Sequence, residues 1–183
     1  EYRIDSDAPD QVSRIGILVG FEYGIRIAEN RVSGMLQEFP SSYDVFGITL
    51  GLDAITTSSY SGNEVTDAAV TRNLVGTVQQ ANTRSACGIC VAPAESGTNL
   101  IANNAVSGVL ANGEAGDFSV GILVGGGGGA SQVYYNSVSM SGSLSPARNE
   151  KSYALAVGGS DPVADVRNTV LYNTQSNGSG HQY

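Results

Sequence analysis

Short alternating segments recur along the chain. Ile15-Gly16-Ile17-Leu18-Val19, Phe46-Gly47-Ile48-Thr49-Leu50, Cys87-Gly88-Ile89-Cys90-Val91, Val120-Gly121-Ile122-Leu123-Val124 and Tyr153-Ala154-Leu155-Ala156-Val157 each place apolar residues at the first, third and fifth positions. Period two with one unbroken apolar face predicts a half-buried β-strand. An Asn-x-Val triplet follows 14 to 16 residues after the second position of each: Asn30-Arg31-Val32, Asn63-Glu64-Val65, Asn104-Ala105-Val106, Asn136-Ser137-Val138 and Asn168-Thr169-Val170. The second position recurs after 31, 41, 33 and 33 residues. Units of that length built from short strands predict a solenoid, in which each unit buries its apolar face by stacking on its neighbours. At about 4.8 Å per layer, like residues stand above like.

Alternation assigns faces. It turns the first, third and fifth positions inward and leaves Gly16/Leu18, Gly47/Thr49, Gly88/Cys90, Gly121/Leu123 and Ala154/Ala156 outward. So bald an apolar strip calls for cover, by the chain's own loops or by another chain. In the second strand the Val points inward. The Asn then lies on the same side near a corner, so Asn30, Asn63, Asn104, Asn136 and Asn168 form a structural row that hydrogen-bonds to itself and to the turn backbone. Ser33, Thr66, Ser107 and Ser139 face out as a hydroxyl row, either an ordinary solvated strand or a surface for glycan or ordered water. The long spacing between the second and third copies predicts an insertion, a protruding loop over residues 72–85.

The G-I-x-V strands, the N-x-V triplets and the phrases Val133-Tyr134-Tyr135-Asn136-Ser137-Val138 and Asp165-Val166-Arg167-Asn168-Thr169-Val170-Leu171-Tyr172-Asn173-Thr174 resemble the right-handed parallel β-helix of the pectate-lyase-like superfamily. They are similar also to the β-helix repeats of large secreted bacterial surface proteins. The resemblance spans residues 15–173 and implies an all-β, right-handed parallel β-helix (solenoid) of about five turns. It implies no single function, because that superfamily holds lyases, glycosidases, esterases, phage tailspikes and adhesins.

Composition narrows the choice. The 183 residues fit a single domain over 1–183, and 41% are apolar, enough for a core. The 24 Gly, the absence of Trp and a charged fraction of 14% suit short strands and turns. A net charge of −8 argues against nucleic acid, which is bound by clustered Lys and Arg. No run of 18 apolar residues occurs, so no membrane span is expected. The chain opens at Glu1 without an initiator Met or signal peptide, and reads as processed from, or a fragment of, a longer secreted or cell-surface protein. Cys87 and Cys90, three apart on an extended strand, should point to opposite faces, so no bridge between them is expected. A zinc site would need two more ligands.

Catalytic patterns are weak. There is no Gly-x-Ser-x-Gly elbow, and the single His, His181, sits in a Gly/Ser tail. Gly125–Ala130 matches G-x-G-x-x-A but no helix follows it, so the run reads as a turn. Enzymes resembling this fold use clustered carboxylates, with calcium and a basic residue or as an acid–base pair. The best placement here sets Glu64 and Asp67 on one strand with Arg31 a layer below Glu64, a pair that reads equally as a surface ion bridge. No cofactor is expected, apart from calcium at the loop carboxylates Glu114 and Asp117. The leading expectation is a non-catalytic extracellular structural or adhesive module that binds glycan. The alternatives are a polysaccharide lyase or glycosidase, and a subunit that self-associates through open solenoid ends or the Gly/Leu strip.

Overall fold

A computed structural model describes residues 3–4, 12–37, 43–55, 64–113, 116–143 and 151–176. Strand β1 (Arg3–Ile4) precedes five layers of three strands each. The first layer holds β2 (Ile15–Val19), β3 (Arg26–Ala28) and β4 (Arg31–Gln37), and the second β5 (Val45–Leu50), β6 (Ala69–Thr71) and β7 (Leu74–Gln80). The third holds β8 (Ala86–Val91), β9 (Thr98–Ala102) and β10 (Ala105–Ala111), and the fourth β11 (Phe118–Val124), β12 (Ala130–Tyr134) and β13 (Ser137–Met140). The fifth holds β14 (Lys151–Val157), β15 (Val163–Arg167) and β16 (Val170–Asn173). Each strand pairs in parallel with its counterpart one layer away, giving sheets β2-β5-β8-β11-β14, β3-β6-β9-β12-β15 and β1-β4-β7-β10-β13-β16. The chain is an all-β parallel solenoid. Its path makes about four turns where the repeat count suggested five, because five layers enclose four interlayer steps.

The interior is a column of Val, Ile, Leu and Met from all three sheets, with Ile48, Ile89, Ile122, Val75 and Val106 among its members. In the first sheet the expected alternation breaks. Ile48 and Leu50 point inward as expected, but Phe46, Cys87 and Val120 join a separate outer cluster with Leu52, Ile55, Cys90 and Leu123. The reason is the glycine. A Cβ on Gly88 would point inward, 2.5 Å from Val106 Cγ1 and 2.6 Å from the Gly121 carbonyl oxygen. The second and third positions therefore both face the interior, and the first position is turned out. Gly16, Gly47 and Gly121 stand in the same relation to Val32, Val75 and Val138. The two halves of the sequence repeat thus fit one another: the Val of the triplet fills the space that the glycine leaves.

Two register assignments differ from the sequence reading. Val32 pairs with Val75 and Val75 with Val106, so the second-layer triplet is Asn73-Leu74-Val75. Asn63 lies outside the described residues. The extra residues of this layer fall between β5 and β6, and half of the stretch read as a protruding loop is strand β7. Both triplets fit the pattern, and the more regular spacing favoured the wrong one. In the fifth layer Ser137 pairs with Val170 and Val138 with Leu171. Asn168 is therefore one position short, Leu171 takes the inward place, and Val170 is 63% exposed.

The third sheet carries a second backbone column. Gly34, Thr77 and Gly108 follow paired positions and all have positive φ, 79°, 55° and 64°. A β-branched residue in the left-handed region is strained by about 1–2 kcal/mol. Thr77→Gly should therefore raise stability by about 1 kcal/mol once the greater freedom of unfolded glycine is deducted, read as a higher urea midpoint at unchanged slope.

Candidate functional site

At the corner between the second and third sheets, each layer turns through one residue in the left-handed conformation: Glu29, Arg72, Asn103, Tyr135 and Asn168. The next residue is the rung of a ladder. Asn73 donates its backbone N–H and Nδ2 to Asn104 Oδ1 at 2.9 and 3.0 Å, and Asn104 repeats both bonds to Asn136 at 3.0 Å. Asn30 does the same to Asn73. Nδ2 of Asn73, Asn104 and Asn136 also donates to a carbonyl of the previous layer, Ile27, Val70 and Ile101. Thr169 ends the ladder, its hydroxyl donating to the Val133 carbonyl at 3.2 Å. Asn168, expected as the fifth rung, instead takes the exposed left-handed position. The rungs' hydrogen bonds run within the stack, so the Asn row is architecture.

The outward hydroxyls do not form one row. Ser33 pairs with Gly76, Gly76 with Ser107, Ser107 with Ser139 and Ser139 with Tyr172. Thr66 bridges Tyr23 at a different corner. Only Ser107 and Ser139 are neighbours. The error follows from the second-layer register, which put Thr66 where Gly76 stands.

The carboxylates are dispersed in the same way. Arg31 lies beside Leu74, not Glu64, so the expected Arg31–Glu64 neighbour pair is absent. Asp67 Oδ1 accepts the Thr98 N–H at 2.7 Å, and the Tyr23 hydroxyl also bonds to Asp67, which raises the tyrosine's pKa. Asp44 is buried, accepting the N–H groups of Ile55 at 2.6 Å and Ser85 at 2.9 Å. Burial pushes its pKa up and those two donors partly offset the rise. Asp117 accepts the Ser85 hydroxyl at 3.0 Å, and Glu114 lies outside the described residues. Among the described residues no three His, Cys, Asp or Glu side chains converge as a metal site.

The outer face of the first sheet is covered over its middle layers, where Phe46, Cys87, Cys90 and Val120 have no exposure. Leu52 and Ile55 fold back onto it, held by Thr49 Oγ1 donating to the Leu52 carbonyl and by Asp44. Leu18 at one end is half exposed, and at the other a cavity of about 370 Å³ opens between Phe118, Leu123, Tyr153 and Ala156. Cys87 and Cys90 form a disulfide within this face, contrary to the alternation argument. The inward turn at Gly88 and Ile89 puts both cysteines on the same side. Because both are fully buried, dithiothreitol should reduce the bridge only under unfolding conditions, seen by mass as thiol alkylation appearing with denaturant and not before. A mass gain in native buffer would contradict that placement.

One polar–aromatic cluster escaped the sequence reading. On the outer surface of β12 and β15, the Tyr134 hydroxyl donates to Asp165 Oδ2 at 2.6 Å. Arg167 Nε donates to Asp165 Oδ1 at 2.9 Å, and its guanidinium lies 5.6 Å from the centre of the Tyr134 ring. The Arg167 hydrogen bond, helped by that of Tyr134, lowers the Asp165 pKa, and the Tyr134 pKa rises in return. Tyr135 stands edge-on to Tyr134 with ring centres 6.5 Å apart and is 58% exposed. The only signal available was the Tyr-Tyr pair before Asn136, which the strand pattern had absorbed. No protein-family model, curated protein or solved structure matches the chain.

Proposed function

We propose that the chain is a rigid, non-catalytic β-solenoid module of a secreted or cell-surface protein, presenting an outer surface that holds glycan. The observation that carries this reading is the use of the polar residues. The buried Asn73, Asn104 and Asn136 are committed to the ladder and the buried Asp44 to two backbone N–H groups, while the candidate acids Glu64 and Asp67 sit at a different corner from Arg31. The buried Cys87–Cys90 bridge favours an oxidising compartment, since cytosolic thiols are kept reduced. Affinity electrophoresis through gels cast with soluble neutral and acidic polysaccharides tests the reading. Retarded migration in at least one is expected, and unchanged migration in all would contradict it.

A second reading rests on the fifth layer. Val157, Val166 and Leu171 occupy core positions there, yet are 45%, 42% and 44% exposed. Stacking of another coil, or of another copy, would bury them. Sedimentation velocity separates the two: a single monomer species across a hundredfold concentration range leaves self-association without support.

A further inference from the structure

We infer that the Tyr134–Tyr135 corner of the fourth and fifth layers, with Asp165 and Arg167, is the contact site for a hydroxyl-rich oligosaccharide. The inference rests on the glycan-binding reading above and gives that reading a place. It begins from a cost. Tyr135 holds the left-handed backbone conformation, φ 56°, and is 58% exposed. The turn needs that conformation in every layer, and the layers on either side meet the need with Asn103 and Asn168. Asn is the side chain that tolerates it best after glycine, whereas a bulky aromatic is an outlier. The ring is not the price of core packing, because it stands in solvent. In the first two layers this corner holds Glu29 and Arg72, which pair with each other, so along this column a strained, exposed side chain other than Asn is kept where it makes a contact.

The surroundings specify the ligand class. Tyr134 is fixed by its 2.6 Å bond to Asp165, and Asp165 is fixed in turn by Arg167. Two aromatic rings set at 72° thus stand beside an immobilised carboxylate and guanidinium. Sugars present apolar C–H faces that pack on aromatic rings, and adjacent hydroxyls that both donate and accept. Carboxylate and guanidinium pairs meet such hydroxyls with little loss of entropy when already held in place. The side chains of Asp165 and Arg167 are 42% and 67% exposed, so both remain open to a ligand. Exposed amides of Asn103 and Asn168 lie one layer to each side of Tyr135, which sets the ligand along the stack. The feature is open, small and mixed in polarity, unlike the apolar core of a protein–protein interface.

Calorimetric titration with cello-, xylo- and manno-hexaose tests the site on the intact chain, the Tyr135→Asn variant and a Ser107→Ala/Ser139→Ala variant. Tyr135→Asn should fold with an unchanged or higher melting temperature, since Asn suits the turn, and should bind at least tenfold more weakly. The serine variant should bind as the parent does. Parent-like binding by Tyr135→Asn overturns the site. If the serine variant alone loses binding, the glycan reading survives and its site moves to β10 and β13. If no hexaose binds the parent at millimolar concentration, the site is overturned, and the glycan reading stands or falls separately on the polysaccharide gels.

Discussion

Replacing Gly88 by Ala should destabilise the fold by about 3 kcal/mol or more, at the upper end of what overpacking a dense interior costs. The added methyl meets Val106 Cγ1 at 2.5 Å and the Gly121 carbonyl oxygen at 2.6 Å, with Val109 Cγ2 at 3.2 Å. A valine methyl can be removed, but a backbone oxygen in a parallel ladder cannot move without breaking register. For a chain of this size the melting temperature should fall by roughly 6–12 °C. Adding Val106→Ala should recover part of the loss and not all of it, because the clash with Gly121 remains. A double-mutant cycle reads that coupling directly. Full additivity would mean that Gly88 and Val106 do not face one another. The last layer offers a natural contrast. Ala154 fills the glycine position where none of the described strands lies beyond it, so no carbonyl of a following layer opposes its methyl.

Asn104→Ala should cost about 3–5 kcal/mol. Asn104 is 2% exposed and accepts both donors of Asn73 while donating to Asn136 and to the Val70 carbonyl. Alanine leaves the buried Asn73 N–H and the Val70 carbonyl without that partner, and each orphaned group costs about 1–3 kcal/mol. Asn73→Ala should be as damaging. Asn30→Ala should cost only about 1 kcal/mol, because Asn30 is half-buried and no rung depends on its oxygen for closure among the described residues. Chemical denaturation of the three variants checks the gradient. Equal losses at Asn30 and Asn104 would mean that the row is a set of independent turn bonds and not a ladder.

The parallel solenoid was legible because its signal is redundant. A glycine, a run of inward aliphatics and an Asn-x-Val recur in each of the first four layers. What was lost was lost to single-residue ambiguities. Two triplets, at Asn63 and Asn73, fit the second layer, and choosing the first displaced the insertion, the hydroxyl row and the Arg31 neighbour together. Asn168 and Thr169 can each take the fifth corner, and only the pairing of Val138 with Leu171 decides between them. Strict period two hid the inward turn at each glycine, and with it the Cys87–Cys90 bridge. That inward turn depends on the close approach of two sheets, which no local pattern reports. The tyrosine corner joins Tyr134 to Asp165, 31 residues away, and that contact exists only once the layers are in register.

The claim that the module binds without cleaving is tested most directly by incubating it with neutral and acidic polysaccharides, with and without calcium, and following reducing ends and unsaturated products. A non-catalytic solenoid predicts no increase over buffer for any polymer under either condition. Time-dependent release of new ends from any one of them would contradict it, and would make the carboxylates Glu64, Asp67 and Asp117 the first positions to mutate.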